Sequence, residues 1–291
     1  MTRPRYRGAF SPPAEIVPGV ILGTKGNLTV RLARDAADID AAQHLRYRVF
    51  YEELDARPDF EARKSRRDRD SYDAICDHLL VMHRGPSVGP GAINLPDGEL
   101  VGTYRLLRQS VAERTGGFYT QGEFDIAPLI KRHPRLDFLE LGRSCVLQPY
   151  RTKPVVELLW QGIWNYVRLN DFDVMLGCAS LEGTDPSRHD LPLTYLARHH
   201  AAPPEWQVSA LPERRIEMDR MPRSKINARE ALRQLPPLIK GYLRLGSYIG
   251  DGAVIDEQFN TIDVLIILPV SAINPRYFSH FGAPGEEPVT D

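Results

Sequence analysis

The stretch "FLELGRSCV", residues 138–146, has the apolar density of a buried strand, yet it carries Glu140 and Arg143. A carboxylate taken out of water is costly unless it is paired or does chemistry. Strict alternation along a strand sends residues three apart to opposite faces. A bulge at Leu141–Gly142 brings both charges to one side, and glycine suits a bulge. Two readings of Glu140 follow: a base that strips a proton from a nucleophile, or an ion-pair partner of Arg143 or Arg105.

Working outward, "LTVRLA" (28–33), "HLLVMHR" (78–84), "LVGTYRLL" (100–107), "DVMLGCAS" (173–180) and "TIDVLIILPV" (261–270) read as further strands. Helical spacing marks Ile39, Ala42, Leu45 and Val49. A second stripe, Val156, Leu159, Ile163 and Val167, opens with Pro154 near the first helical position. Shorter helices are expected near 190–199 and 235–246. The order gives an α/β chain with a mixed central sheet. Residues 1–27 read as an extended arm, 28–281 as one domain, and 282–291 as a loose acidic tail. Residues 61–73 read as a polar loop and 203–235 as an irregular insertion.

The chain has 291 residues, 42% of them hydrophobic, enough for a real core. Lys plus Arg total 37 against 38 for Asp plus Glu, so net charge predicts no nucleic-acid partner. Cys76, Cys145 and Cys178 are odd in number and lack CxxC spacing. That favours reduced cytosolic thiols acting as small buried hydrophobes over a disulfide framework or a metal site. The N-terminus lacks the apolar core of a secretory signal, and no apolar run reaches the roughly 18 residues of a membrane span. A cytoplasmic protein, at most peripheral on the inner membrane, is expected.

Polar residues nevertheless interrupt the apolar elements: Arg46 and Phe50 on the first helix, Asp70 and Asp73 before the second strand, Arg105 in the third, Glu140 and Arg143 in the fourth. "RYRVF" (46–50), "DSYD" (70–73), "VGTYR" (101–105) and "ELGR" (140–143) together resemble the signature of acyl-homoserine-lactone synthases, a branch of the GCN5-related N-acetyltransferase (GNAT) fold. "GFYTQGEFD", "LLWQGIWNY", "GCASLEGTDP" and "PPLIKGYLRLGSYIGDGAVIDEQFNTIDVLI" extend a closer resemblance over about residues 28–281, to the L-ornithine Nα-acyltransferases of bacterial ornithine-lipid synthesis. The resemblance implies a GNAT-like fold with a C-terminal extension. It implies transfer of a 3-hydroxyacyl group from acyl carrier protein to the α-amine of L-ornithine, giving lyso-ornithine lipid. It assigns no role to single residues; Arg46, Phe50, Asp70, Asp73 and Arg105, which match the family pattern, are the candidates that shape the substrate site, and fourth strands of that fold resemble this one in carrying a bulge that splays the fourth strand from the fifth. The runner-up is a synthase of the same kind acting on another amine, or a non-catalytic sensor of acylated carrier protein.

An amine that is mostly ammonium at neutral pH needs a base, and a carboxylate in an apolar strand has its pKa raised toward useful values. Glu140 is the candidate base, with Arg143 positioning and balancing charge. "QPYRTKPVVE" (148–157) lacks the glycines of an acetyl-CoA loop, which speaks against CoA as the donor, and no metal or organic cofactor is expected. Phosphopantetheine arrives on the carrier, with Arg151 and Lys153 at a helix start to meet its phosphate. "ARKSRRDR" (62–69) holds five basic residues against one acid. Arg63, Lys64, Arg66 and Arg67 suit docking of an acidic carrier, with membrane phospholipid as the alternative. Asp185, Asp251, Asp256 and Asp263 are candidates for the δ-ammonium of ornithine, and the sequence does not separate them. Ser144 lacks a nucleophile-elbow context, no histidine accompanies Cys145, and no metal spacing is present. Trp160 and Trp164 fit either an acyl tunnel or the core.

Overall fold

The computed structural model describes residues 17–88 and 91–273. The first half runs β1 (Ile21–Lys25), β2 (Leu28–Leu32), α1 (Ala36–Tyr47), α2 (Phe60–Ser65), β3 (Asp77–His83), β4 (Asn94–Leu95), β5 (Gly98–Arg108), α3 (Gln109–Thr115) and α4 (Ala127–Arg132). The second runs β6 (Phe138–Val146), α5 (Lys153–Leu169), β7 (Val174–Glu182), α6 (Asp190–His199), β8 (Arg215–Ile216), α7 (Ala228–Gln234), α8 (Pro237–Leu245), β9 (Tyr248–Asp256) and β10 (Thr261–Pro269). All the strands join one mixed sheet in the order β1-β2-β3-β5-β6-β7-β10-β9-β8, with the two-residue β4 hung on β5. The expected α/β class and mixed central sheet are what the chain forms.

Local chemistry sets the element ends. Asp35 caps α1, its carboxylate accepting from the amides of Ala37 and Asp38. Pro154 sits in the first turn of α5, as expected. The buried stripe of α5 is Val155, Leu158, Leu159, Ile163 and Val167, whereas Val156, placed on that stripe from the sequence, is exposed. Gly162 lets α5 approach β2 closely: a Cβ there meets Val30 Cγ2 at 2.7 Å. Trp164 is buried in the core, and Trp160 packs edge-on against Tyr242 of α8 at 4.9 Å. Tyr242 in turn meets Tyr104 of β5, hydroxyl to hydroxyl, at 3.0 Å.

Several expectations need correction. Residues 21–25 of the presumed arm form β1, paired antiparallel with β2. Residues 1–16 and the tail 282–291 lie outside the described residues. The polar segment 61–73 is helical at both ends. Asp59 caps α2 through the Ala62 amide at 2.7 Å, and Asp70 and Asp73 form a capping box around a 3₁₀ turn, Ser71–Ala74. α2 buries no residue, so no apolar stripe betrays it. The insertion 203–235 contains β8 and α7, and the glycine-bearing run before β10 is strand β9.

The sheet opens in its middle. β6 and β7 run parallel and pair only from Phe138 with Val174 to Glu140 with Leu176. Beyond that the carbonyl of Leu141 lies 2.2 Å from where a Cβ of residue 177 would sit, and only glycine fits there. β6 is bulged as expected, but two residues later than the sequence suggested. Thr103 pairs Cys145 and Arg105 pairs Gly142, so Arg143 and Ser144 together oppose Tyr104. Arg143, not glycine, takes the left-handed conformation, with φ 52°.

Candidate active site

Past the β6–β7 seam lies a cleft of about 370 Å³. β5 supplies Arg105 and Leu107 to its walls, β6 residues 140–144, β7 Cys178, Ala179 and Ser180, and β10 Thr261 and Asp263. Phe50, in a widened turn that continues α1, and Phe259, in the β9–β10 turn, stand at the same cleft with their rings edge to face at 5.4 Å. The bulge therefore brings Glu140 and Arg143 to one cavity, as the sequence required.

Glu140 is 5% exposed and still lines the cleft. Its two oxygens are held by backbone amides: Oε1 accepts from Thr120 at 2.6 Å and Oε2 from Tyr119 at 3.0 Å. The ion pairs of Arg105 and Arg143 go elsewhere, so the salt-bridge reading of Glu140 is not the arrangement found. Burial pushes the carboxyl above its ordinary range, against the pull of the Thr120 hydroxyl, the two amides and Arg105.

The other charges form a buried network beside it. Arg46, 1% exposed, pairs with Asp68 at 2.8 Å and with both oxygens of Asp73 at 2.8 Å. Arg105 reaches Asp70 at 2.6 Å and Asp73 at 3.2 Å. Arg143 lies 3.3 Å from both Asp68 and Asp70, and its guanidinium stacks between the rings of Tyr119 at 4.7 Å and Phe259 at 4.5 Å. Burial alone would raise the Asp73 carboxyl, but Arg46 and Arg105 hold it below the ordinary value. Arg46, Asp70, Asp73, Arg105 and Arg143 thus meet as one cluster. Asp68, the one acid of the basic run, is its unforeseen member.

The remaining candidates are more scattered. Arg151 donates to the Val146 carbonyl at 2.9 Å and pairs with Glu53 on the cleft wall. Lys153 is largely exposed and reaches Glu157, 3.4 Å away. Arg63 and Lys64 are exposed on α2 beside the exposed ring of Phe60. Arg66 pairs with Glu52, and Arg67 grips Asp40 at 2.7 and 2.8 Å. Asp185 caps a surface turn and Asp251 is clamped by Arg215 at 2.6 and 2.9 Å, whereas Asp256 and Asp263 line the cleft. Glu123, which no sequence pattern singles out, joins those two: carboxylate oxygens of all three lie within 4.8 Å of one another. Burial raises the thiols of Cys145 and Cys178, and that of Cys76 up to about 12, which suits packing better than nucleophilic attack.

A protein-family profile described as an acetyltransferase (GNAT) domain matches residues 45–161, which take in the last turn of α1, the charge network and Glu140. The chain is 53% identical over 277 residues to an L-ornithine N(alpha)-acyltransferase of Rhizobium meliloti (strain 1021), covering 95% of this chain and 90% of that one. An enzyme of the same name from Agrobacterium fabrum is 51% identical over 266 residues, covering 91% and 89%. Among solved structures, FeeM, an N-acyl amino acid synthase from uncultured soil microbes, aligns over 86% of this chain and 97% of its own, with 12% identity and a TM-score of 0.47. The shared identity over nearly the whole length places this GNAT-fold N-acyltransferase in one family: the chain belongs to the L-ornithine Nα-acyltransferases.

Proposed function

We propose that the chain transfers a 3-hydroxyacyl group from the thioester of acyl carrier protein to the α-amine of L-ornithine, giving lyso-ornithine lipid, with Glu140 as general base. The observation that carries this reading is the Glu140 carboxylate, dry, raised in pKa and fixed by two amides on the wall of the cleft. Glu140 takes a proton from the ammonium, directly or through a water. The freed nitrogen attacks the thioester carbonyl, a C–N bond forms, and the oxyanion meets a β6 amide left without a β7 partner. The C–S bond then breaks, and the thiolate takes up the second amine proton. Arg143 and Arg105 balance charge around the tetrahedral species rather than moving protons. The thioester already carries an activated acyl group, so the transfer draws on no further cofactor.

The donor side is read from charge. Arg63, Lys64, Arg66 and Arg67 offer an acidic carrier a basic approach, with Arg66 paired to Glu52 next to Glu53 of the cleft wall, and Arg151 and Lys153 are the proposed partners of the arm's phosphate. Apolar lining from Leu107, Leu141, Ala179 and Leu238 suits the acyl chain. Among the described residues no helix is long and apolar enough to cross a membrane. The proposed setting is the cytoplasmic face of the inner membrane, touched transiently to release an amphiphilic product. Purified enzyme incubated with 3-hydroxyacyl carrier protein, the matching acyl-CoA and a panel of amino acids tests the whole reading by mass spectrometry. N-acylornithine formed from the carrier thioester is the expected product; acylation of a different amine, or carrier binding without turnover, sinks it.

A further inference from the structure

The three carboxylates of Glu123, Asp256 and Asp263 come from the turn after α3, the end of β9 and the start of β10, and all are buried. Asp263 is 7% exposed and lines the cleft, yet its Oδ1 has no hydrogen-bond partner among the described residues. Thr261 Oγ1, on the same wall, is also without one. An unsatisfied buried carboxylate oxygen costs stability unless something else completes it.

The hydroxyls of Ser180 and Thr261 stand close enough to Asp263 to pull its carboxyl down, but neither reaches Oδ1 in hydrogen-bond geometry. Asp256 Oδ1 accepts the amides of Gln258 at 2.8 Å and Phe259 at 2.9 Å. Glu123 accepts from the Cys178 thiol at 3.2 Å and has Arg214 at 3.6 Å. Arg143 is committed to Asp68 and Asp70, and Tyr119 stacks on it. Arg214 faces Glu123, and Arg143 acts on Asp263 only at a distance while it pairs with Asp68 and Asp70, so the three acids are short of positive charge. Burial, and then mutual repulsion, hold Glu123 and Asp263 above the ordinary carboxylate range.

We propose that Glu123, Asp256 and Asp263 receive the distal ammonium of the acceptor amino acid and so select a diamino acid. The inference rests on the reading of the acceptor as ornithine. An ammonium carries three N–H donors, and the cluster supplies three acceptors, one of them idle. Position agrees with this. The Thr120 amide holds Glu140, Thr120 Oγ1 lies 4.0 Å from Cys178 Sγ, and Cys178 donates to Glu123. Along the wall the order is therefore the base, a spacer layer, then the triad. A diamino acid needs that order, with the reacting amine at Glu140 and the distal one beyond Cys178.

The test measures kcat/KM for ornithine and for 2-aminopentanoate, which is ornithine without its distal amine, in the wild type and in Asp263→Asn, Asp256→Asn and Glu123→Gln. Wild type should prefer ornithine, and the ornithine-to-aminopentanoate ratio should fall on the order of 10²-fold in Asp263→Asn. An unchanged ratio in a folded Asp263→Asn overturns the inference. If that variant loses its fold, an unchanged ratio in both of the others does the same. Wild type that acylates the two acceptors equally overturns the subsite while leaving the acyltransferase reading intact. Wild type that acylates no ornithine removes that reading, and the subsite with it. Loss of ornithine activity in EDTA, restored by Mg²⁺ or Ca²⁺ only with the triad present, overturns the assignment in favour of a metal site.

Discussion

The backbone amide of Thr120 points at Glu140 and donates to its Oε1 across 2.6 Å. The carboxylate therefore anchors the 119–122 turn while it faces the cleft. The two duties separate by substitution. Glu140→Gln keeps an oxygen for one amide but has no basic group; Glu140→Ala orphans both amides. Both variants should lose about 10²–10⁴ in kcat/KM. Only Glu140→Ala should also lose stability, by about 1–3 kcal/mol for each orphaned amide. Steady-state rates and thermal melts check this, and wild-type turnover by Glu140→Gln would remove the base.

Arg46 is the most buried charge of the network, and removing it leaves Asp68 with the longer contact to Arg143 and Asp73 with those to Arg105 and Gln43. Arg46→Met should destabilise the fold by about 3–5 kcal/mol, as expected when one partner of a buried ion pair is lost. Urea unfolding should show the midpoint shift, and a change below 1 kcal/mol would mean that Arg105 compensates.

Gly177 can be tested on space alone. A methyl group there collides with the Leu141 carbonyl, so Gly177→Ala must push the strands apart or shift the seam. A cost of about 1–3 kcal/mol is expected, together with reduced turnover. Melting temperature and rate together report it.

The pH dependence of stability has a definite sign. The Glu123 and Asp263 carboxyls sit higher in the folded chain than in the unfolded one, about 7 and about 6 against ordinary values near 4. Between those limits the folded state holds more protons, so their contribution is lost as pH rises from about 4 to about 7. Asp263→Asn removes part of that loss. The variant should melt higher than wild type at pH 8 but not at pH 4, and ornithine should narrow the gap at pH 8. A difference independent of pH would contradict the raised carboxyls.

Docking through α2 predicts a donor-specific defect. Arg63→Glu with Lys64→Glu should raise the KM for the carrier thioester about tenfold at low salt and less at high salt. The KM for a free pantetheine thioester should not move. A defect equal for both donors would place the effect in the cleft instead.

Much of this was written locally in the chain. The strand 138–146, the helix with Pro154 and the polar intruders at 46, 70, 73, 105 and 143 follow from period and burial, and they meet where the sequence required. The bulge was displaced because Arg143 is fixed by two carboxylates and two rings, which outweigh the usual preference for glycine at positive φ. β9 was hidden by Gly250 and Gly252: the first leaves room for Leu265, and the second takes φ 84°. Glu123 and Asp263 become neighbours only through the completed sheet, so no local spacing announces them.

The short parallel seam has a mechanical consequence. Only the stretch from Phe138 to Glu140 stitches β6 to β7, so the slot lies within the plane of the sheet, not above it. Strand curvature sets its gauge, and swinging a loop does not widen it. Passage in and out then falls to the rim, where Phe50 and Phe259 meet like turnstile arms, and a bulkier cargo would be accommodated by trimming those rings before any strand had to move.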